Sequence, residues 1–549
     1  MDPELDIPLG KRNKLYRALE ILPGFLSYFM IVLLFILSFI NPLYGAVYLL
    51  AVVSVTLIKA IAIMFRTVQG YAMMERAKKV DWLKRLDDIK NAEKRYVELA
   101  NEKKQGILPK ILGNEYNFYE HLDNLHLISA GVKKCVQPDE IYHAIIMVAY
   151  NEDMEILEPT VQAVTKSTFD TKRVIFVFAY EERGGEKMVK YAKELKKKFG
   201  DKFYDFLTVM HPKDLKDEIV GKGPNLTYAG ILLDKYVEKS RLKKENVIVT
   251  SLDSDNKLDE QYLACVAYEF AVRDDRQNLS FQPVSLFTNN VWDAPAPMRV
   301  IAISNSFFNV ITSMRPYALR NFASHAQPLS ALSAMGFWSK RTIVEDGHQF
   351  WRSLFFFRGK YEVVSIKIPI YQDAVIEETF LKTLKAQFVQ LRRWDYGASD
   401  VAYVGEKLLN KERRRMPFWD LFPKFMRLLD GHVMLAAMAP IVTFGGWVPL
   451  IMNKNSRIVL THNLPNMIGT VQMFASLGLV VGILVSLRML PKKPEKYSFF
   501  KWVWMILQWT LIPIVSIAYQ SAAAFYAQTR LLTGNYMEKF DVTKKMRKK

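Results

Sequence analysis

Residues 246–256 read NVIVTSLDSDN and place two carboxylates one residue apart, directly after an apolar run. The run has the length and β-branched content of a buried strand, so Asp253 and Asp255 are predicted to stand where that strand ends. Alternate residues of an extended segment face the same side, which aims both carboxylates at one point. Such oxygen ligands suit Mg²⁺ or Mn²⁺ holding phosphates, whereas zinc would require His or Cys nearby. The alternative is a solvated turn, because Asp, Ser and Asn are common turn residues.

Three similar apolar runs precede this segment, at 143–152, 173–185 and 205–212, with helical stretches between them. Strands alternating with helices at this spacing predict an α/β domain. Its sheet is expected to be mostly parallel and covered on both faces, with a ligand crevice at the carboxyl ends of the strands. The first two runs end in the polar clusters Tyr150-Asn151-Glu152 and Glu181-Glu182. We therefore expect these clusters to lie near the Asp253–Asp255 pair, where a nucleotide would bind.

Apolar segments of membrane-spanning length flank the predicted domain on both sides. Residues 25–40 are uncharged and 43–65 carry only Lys59, with Asn41-Pro42 as a tight break between them. Residues 432–452 and 467–487 are also uncharged. Residues 499–532 are mostly apolar but interrupted by Pro513, so we expect either a hairpin bent there or a re-entrant segment. The hairpin gives about six spans in all, with the α/β domain inserted between the N-terminal and C-terminal membrane helices.

Basic residues mark the expected orientation. They stand on both flanks of the first hairpin, in the link at 488–501 and in the tail KKMRKK at 544–549. By the positive-inside rule these parts are cytoplasmic, which predicts a multi-pass protein of the cell (inner) membrane with a cytoplasmic α/β domain. The formal net charge of +19 suits a lipid bilayer or phosphorylated substrates. No nucleic-acid partner is expected, because a recognisable binding motif is missing. Two cysteines imply no disulfide framework.

Three further motifs follow in order along the chain: GKGPNLTYA at 221–229, VEDGHQ at 344–349 and QLRRW at 390–394. Together with AYNE and DSD, they resemble the motifs of membrane-embedded family 2 glycosyltransferases, the class that contains cellulose and hyaluronan synthases. The resemblance covers roughly residues 140–400 by motif and the flanking spans by layout. Two departures stand out. Glu181 and Glu182 occupy positions where relatives carry Asp-Asp, and Val344 replaces a usual Thr.

The resemblance implies a GT-A-like domain that uses a nucleotide-sugar donor, expected to be a UDP-sugar, and Mg²⁺ or Mn²⁺. Asp255 and Asp253 would hold the metal, and Asp346 would be the catalytic base, with its neighbour Glu345 less favoured. Trp394 and Trp338 would form a platform for the acceptor, since an indole offers a flat face to a sugar. The residues expected to contact the nucleotide and its diphosphate are Tyr150, Asn151, Glu152, Glu181, Lys222, Asn225, Arg393, Arg392 and Gln390.

Physical chemistry supports several of these roles. A guanidinium fork matches phosphate oxygens and can stabilise a leaving diphosphate. An attacking hydroxyl needs one carboxylate to take its proton, and a single displacement inverts the anomeric configuration. Taken alone, LRRW could instead be a basic helix on lipid headgroups, and VEDGHQ a helix N-terminus with acidic residues on its dipole. His325 and His348 are expected to be hydrogen-bonded structural residues.

Two classes of function remain open from the sequence. The first is an enzyme that extends a polysaccharide or glycan, processively or not, or that adds sugar to a lipid-linked acceptor. The second is a catalytically silent membrane scaffold or transporter. The expected divisions of the chain are an N-terminal membrane hairpin at 1–65, a helical linker at 66–138, the GT-A domain at 139–400, interfacial helices at 401–430, a C-terminal membrane region at 431–534 and a basic cytoplasmic tail at 535–549.

Overall fold

The computed structural model describes residues 5–8, 10, 12–104, 116–454 and 458–537. The basic tail at 544–549, expected on the cytoplasmic side, lies outside the described residues. The order of elements is two long N-terminal helices, an α/β domain and a second group of long helices.

The α/β domain is built on one eight-stranded sheet of order β3-β2-β1-β4-β7-β6-β8-β5. Strands β1 to β4 are parallel, as are β6 and β8, but β7 runs antiparallel to β4 and β6, and β5 runs antiparallel to β8. The sheet is therefore mixed, and a mostly parallel sheet is not confirmed. The strands are β1 Tyr142–Ala149, β2 Val174–Glu181, β3 Asp205–His211, β4 Val247–Asp253, β5 Lys257–Leu258, β6 Leu279–Leu286, β7 Ala326–Pro328 and β8 Glu362–Tyr371.

Helices cover the sheet on both faces, and the alternation along β1 shows how. Ile145 and Met147 belong to one apolar cluster, whereas Ala144 and Ile146 belong to another on the opposite face. Period-two alternation of side chains in a strand produces these two cores. The helices before and within the domain are α3 Trp82–Asp88, α4 Ala92–Lys104, α5 Phe118–Ser129, α6 Met154–Thr165, α7 Gly185–Phe199, α8 Lys222–Lys239, α9 Tyr262–Ala271, α10 Ala296–Ser313, α11 Leu329–Ala334, α12 Glu345–Phe356, α13 Phe380–Asp395 and α14 Asp400–Leu409.

The long apolar helices stand on either side of this domain in the sequence. They are α1 Lys14–Ile40, α2 Pro42–Ala77, α15 Phe418–Phe444, α16 Val448–Met452, α17 Val459–Met489, α18 Phe500–Leu507, α19 Ile512–Val515 and α20 Ala522–Thr533. Asn41 caps α2 by accepting from the Leu43 N–H at 2.9 Å, and Pro42 takes the first helical position, where its missing N–H costs nothing. The predicted tight break between the first two spans is thus a helix cap.

Within the described residues, five helical runs are long and apolar enough to cross a membrane: Lys14–Ile40, Pro42–Ala77, Phe418–Met452, His462–Met489 and Phe500–Thr533. The last run is continuous, so the hairpin at Pro513 and the count of six spans are not confirmed. Pro513 falls in the first turn of α19, directly after a 3₁₀ turn, where proline is tolerated and the helix continues.

Both ends of the Phe500–Thr533 run lie against the α/β domain. Just before the run begins, the Trp292 indole donates to the Pro491 carbonyl at 3.0 Å, and inside it Arg299 donates to Gln508. Just after the run ends, the Met537 N–H donates to the Tyr396 hydroxyl at 3.2 Å. The re-entrant alternative for this run stays a prediction.

Candidate active site

A cavity of about 1140 Å³ opens at the carboxyl ends of β1, β2 and β4. It brings together twelve of the predicted site residues: Tyr150, Glu152, Glu181, Lys222, Asn225, Asp253, Asp255, Glu345, Asp346, Gln390, Arg393 and Trp394. They come from three strand ends and from α8, α12 and α13, which meet because parallel strands end at the same edge of the sheet. Asn151, Arg392 and Trp338 do not line the cavity.

Lys222 joins the two acidic motifs at the centre of the cavity. Its Nζ lies 2.8 Å from Asp253 Oδ1, 2.7 Å from Asp346 Oδ2 and 3.5 Å from Glu345 Oε1. Burial lowers the pKa of this ammonium, but the three carboxylates outweigh burial and raise its pKa above the usual value. Lys222 is therefore a fixed positive charge between the predicted metal pair and the predicted base.

A close approach between two chain segments puts Lys222 in this place. Lys222 is the first residue of α8, and Gly223 follows it. A Cβ at Gly223 would lie 2.2 Å from the Ser339 carbonyl oxygen and 3.2 Å from Glu345 Cβ. Glycine is needed at position 223 because any side chain would push α8 away from the segment that leads into α12.

Glu345 and Asp346 open α12 and line the cavity, and each has one unsatisfied oxygen. Among the described residues, Glu345 Oε2 and Asp346 Oδ1 are buried atoms with no hydrogen-bond partner. Burial, and then the charge of Asp346, raises the pKa of Glu345 to about 7.

His325 lies behind Asp346 as a neutral structural residue. Its Nδ1 is 2.9 Å from the Phe322 carbonyl oxygen, to which it donates, while its Nε2 accepts from the Trp338 indole at 3.4 Å. Burial lowers the pKa of His325, which keeps the ring uncharged. Asp346 Oδ1 is 3.7 Å from the His325 Nδ1, too far for a hydrogen bond. His348 is likewise structural and bonds Asp400 at 2.6 Å.

Asp255 is only 3% exposed and is held by the polar, Pro-rich loop at 281–297, to which the sequence assigns no mechanism beyond a place near the acceptor. Its Oδ2 accepts from the Asp373 N–H at 3.1 Å. Asn289 donates to the Asp255 carbonyl at 3.2 Å and to the Tyr371 carbonyl at 3.0 Å, which ties the end of β4 to the end of β8. Asn290 exchanges two hydrogen bonds with Ala374, of 2.9 and 2.7 Å. The adjacent pair Asn289-Asn290 was a local signal for this loop.

The oxygen donors fit a divalent cation whose coordination is completed by a ligand. No group of three or more His, Cys, Asp and Glu side chains suited to a metal occurs in the part of the chain that the structure describes. Asp253 and Asp255 alone would leave most positions to phosphates and water, which is how Mg²⁺ is usually held at phosphate sites. The donor set thus fits the predicted Mg²⁺ or Mn²⁺.

Some predicted nucleotide contacts brace the strand ends instead. Glu152 Oε2 accepts from the backbone N–H groups of Tyr150 and Asn151 at 2.7 and 3.1 Å. Asn225 donates to the Ala179 carbonyl at 3.3 Å. Glu181 pairs with Arg183 at 3.3 Å, and burial raises the pKa of Glu181. These side chains shape the crevice floor, and Glu181, Glu152 and Asn225 still border the cavity.

The QLRRW segment divides between the cavity and the membrane helices. Arg393 and Trp394 line the cavity, with Trp394 37% exposed and its ring 6.0 Å from Phe287. Arg392 points elsewhere and lies 5.1 Å from the ring of Tyr526, on α20. Successive helical residues are about 100° apart, so one helix serves both surfaces. Gln390 accepts from Gln387 at 3.1 Å.

Trp338 is not brought to the cavity, because its side chain is fully buried. The indole packs in the core between α8 and the sheet, and its only polar atom is used by His325. Of the two predicted platform residues, Trp394 alone has an open face.

Comparison with known proteins identifies the family. The profile of the glycosyl transferase family group 2 matches residues 248–527, half of the chain, from β4 through the last helical run. The protein belongs to this family. No curated protein matches the chain.

Solved structures resemble the chain weakly. A mannosyltransferase from Pyrobaculum calidifontis, PcManGT, in complex with GDP-Man and Mn²⁺, is 13% identical with a TM-score of 0.38, covering 67% of this chain and 94% of that one. S. aureus TarS 1-349 in complex with UDP-GlcNAc is 12% identical with a TM-score of 0.35, covering 72% and 93%. At these scores no residue role is carried over from either structure.

Proposed function

We propose that the protein is an inverting, metal-dependent glycosyltransferase that moves a sugar from a nucleotide-sugar donor, expected to be a UDP-sugar, to an acceptor hydroxyl at the cytoplasmic face of the cell membrane. The arrangement around Lys222 carries the proposal. One ammonium lies 2.8 Å from Asp253 and 2.7 Å from Asp346, so the donor side and the acceptor side of the site face each other across it. Extension of a glycan and transfer to a lipid-linked acceptor are both reactions of this kind.

Asp253, Asp255 and Arg393 form the donor side. A divalent cation bound by the two aspartates would supply positive charge to the diphosphate as it leaves. Arg393 lines the same cavity, and its guanidinium fork can pair with two phosphate oxygens. The bonds from Asn289 and Asp373 hold Asp255 in place before a ligand arrives, so little reorganisation is needed.

Asp346 is the base on the acceptor side. It lines the cavity, its buried Oδ1 has no hydrogen-bond partner among the described residues, and Lys222 fixes its other oxygen. As the acceptor oxygen attacks the anomeric carbon, its proton passes to Asp346 and the bond to the nucleoside diphosphate breaks. A single displacement requires this one base and no second, nucleophilic carboxylate. A single displacement with inversion follows.

The function is tested with the purified full-length protein in detergent, given a panel of UDP-sugars and GDP-sugars with Mg²⁺ or Mn²⁺. Nucleoside diphosphate release is expected with one donor class, and both EDTA and Asp346→Asn should suppress it. A silent scaffold or transporter predicts no release with any donor and no effect of either change. Product NMR then shows whether the anomeric configuration has inverted.

A further inference from the structure

The catalytic cavity continues past Asp346 to the membrane helices. Beyond the catalytic residues its walls come from α2, α10 and α15, and the apolar side chains there are Ile63, Phe308, Leu428, Met434 and Leu435. Polar side chains, among them Asn305 and Asn309, also line this wall, and its apolar part is suited to a hydrocarbon chain.

Basic side chains also line the cavity, together with the apolar wall and the catalytic carboxylates. Arg315, Arg320, Arg427 and Lys59 all line this part of the cavity. Arg427 donates to the Tyr317 carbonyl at 2.8 Å, and Arg320 packs 5.3 Å from the ring of Trp351. Among the described residues, neither Arg315 nor Arg320 forms a salt bridge within 4.0 Å, although both are partly buried. Their charges are therefore left for a ligand.

Neighbouring positive charges disfavour the charged forms of Arg315 and Arg320 in the ligand-free protein. Burial, and then the charge of Arg66, lowers the pKa of Arg315. Burial lowers the pKa of Arg320 to about 10, although Asp400 opposes this, and Arg427 lowers it further. Like charges held together in a partly buried wall repel one another, and a bound anion would remove that repulsion.

The basic group lies within reach of the base. Arg320 precedes His325 by five residues, which span at most about 17 Å even when extended, and His325 Nδ1 is 3.7 Å from Asp346. An anionic group at Arg315 and Arg320 and a hydroxyl at Asp346 can therefore belong to one molecule.

The lining residues stop well inside the membrane helices. Lys59, the lining residue of α2 nearest to Pro42, is about 25 Å from that end of the helix, and Leu435 is about 14 Å before the end of α15 at Phe444. Lys59 and Asp430 form an ion pair of 3.2 Å between these two helices, with each side chain about half exposed. Charges at this depth normally face a pathway or a ligand. The described cavity is thus lined by both α2 and α15, and its lining residues stop short of the Pro42 end of α2 and the Phe444 end of α15.

Resting on the function proposed above, we propose that the acceptor is a lipid-linked sugar. Its phosphate or diphosphate binds Arg315 and Arg320, its hydrocarbon chain leaves between α2 and α15, and its sugar hydroxyl meets Asp346. The reaction forms a bond from that hydroxyl oxygen to the anomeric carbon of the donor and breaks the bond to the nucleoside diphosphate. The proton goes to Asp346, and the bonding pair leaves with the diphosphate.

The first test measures binding of farnesyl phosphate and of farnesol to the full-length protein, without nucleotide sugar. Farnesyl phosphate is expected to bind tenfold to a hundredfold more tightly, because hydrogen bonds to a charged group contribute that much. Inorganic phosphate, which has no hydrocarbon chain, should bind more weakly than farnesyl phosphate. Equal binding of farnesyl phosphate and farnesol would overturn the proposal, and so would equal binding of farnesyl phosphate and inorganic phosphate.

The second test uses charge variants. Arg315→Gln should weaken farnesyl phosphate binding at least tenfold, and Arg315→Lys should weaken it less. Arg76→Gln is the matched control, because Arg76 is an exposed arginine near the end of α2 outside the cavity. Equal losses in Arg315→Gln and Arg76→Gln would show attraction to general surface charge and contradict the proposed site.

Nucleotide-sugar affinity, measured on the same samples, separates the two proposals. If the wild-type protein binds a nucleotide sugar but does not distinguish farnesyl phosphate from farnesol, the lipid acceptor is wrong and the transferase stands. If no nucleotide sugar binds, the proposed function itself fails. The lipid acceptor would also be refuted if the protein transferred sugar efficiently to a soluble oligosaccharide and if Arg315→Gln left the rate of that transfer unchanged.

Discussion

Asp346→Asn is the change that most directly tests whether Asp346 acts as the base while Asp253, Asp255 and Arg393 bind the donor. The amide keeps the shape of the side chain but cannot take a proton, so transfer should fall by about 10² to 10⁴, the usual contribution of a positioned base. This corresponds to about 3 to 5 kcal/mol of transition-state stabilisation. The loss should appear in single-turnover transfer at saturating donor.

Folding and donor binding should survive this change, for a reason visible around Lys222. The ammonium keeps Asp253 at 2.8 Å and Glu345 at 3.5 Å as partners. Removing the Asp346 charge also removes one of the causes that raise the pKa of Glu345, so the mutual repulsion of the two acids falls. We expect an unchanged or slightly higher melting temperature and a retained nucleotide-sugar affinity.

The assay compares wild type, Asp346→Asn and Asp153→Asn in one detergent. Asp153 is an exposed aspartate paired with Lys187 at 2.8 Å and lies outside the cavity, so its variant controls for the loss of one charge. Affinity, melting temperature and single-turnover rate are measured for each protein. The reasoning is refuted if Asp346→Asn keeps transfer within tenfold of wild type, or if it loses donor affinity as the main defect.

Asp255→Asn should weaken nucleotide-sugar binding and its dependence on added Mg²⁺ or Mn²⁺, and a titration that shows unchanged metal dependence would exclude Asp255 as a ligand. Trp394→Ala should raise the acceptor KM more than the donor KM, because its exposed ring is placed for the acceptor; equal changes would assign it to general packing. The pKa of Glu345 is raised from 4.5 to about 7 in the folded state. Between these two pH values the unfolded chain loses this proton before the folded protein does, so the free energy of unfolding falls as pH rises from 4.5 to about 7. The melting temperature of Glu345→Gln relative to wild type should therefore be more favourable at pH 8 than at pH 5, and an opposite trend would contradict the raised pKa. A cysteine at exposed Lys239 should be labelled only from the cytoplasmic side and one at exposed Lys454 only from outside, whereas the reverse pattern would invert the topology.

The amino-acid sequence alone determined the features that depend on residues close together in the chain. Strand-length apolar runs ending in polar residues located the ends of β1, β2 and β4, and with them the pair Asp253 and Asp255. Composition alone identified the long apolar helices, because a span needs about twenty apolar residues in a row. The order of short motifs brought Asp346 and Arg393 into one hypothesis before any contact was known.

Only the tertiary structure decided how distant segments meet. β7 is three residues long and carries no periodic pattern, yet it reverses the direction of pairing in the centre of the sheet. Trp338 and Trp394 look alike in sequence, but packing buries the first completely and leaves the second open. Lys222 was expected at a diphosphate, and only the folded structure shows that it also contacts three carboxylates. The placement of Arg315 and Arg320 without a salt bridge, near α2, α10 and α15, is likewise visible only in the folded structure. The periodic pattern of a sequence determines the secondary structure of one segment, whereas close packing determines which segments touch.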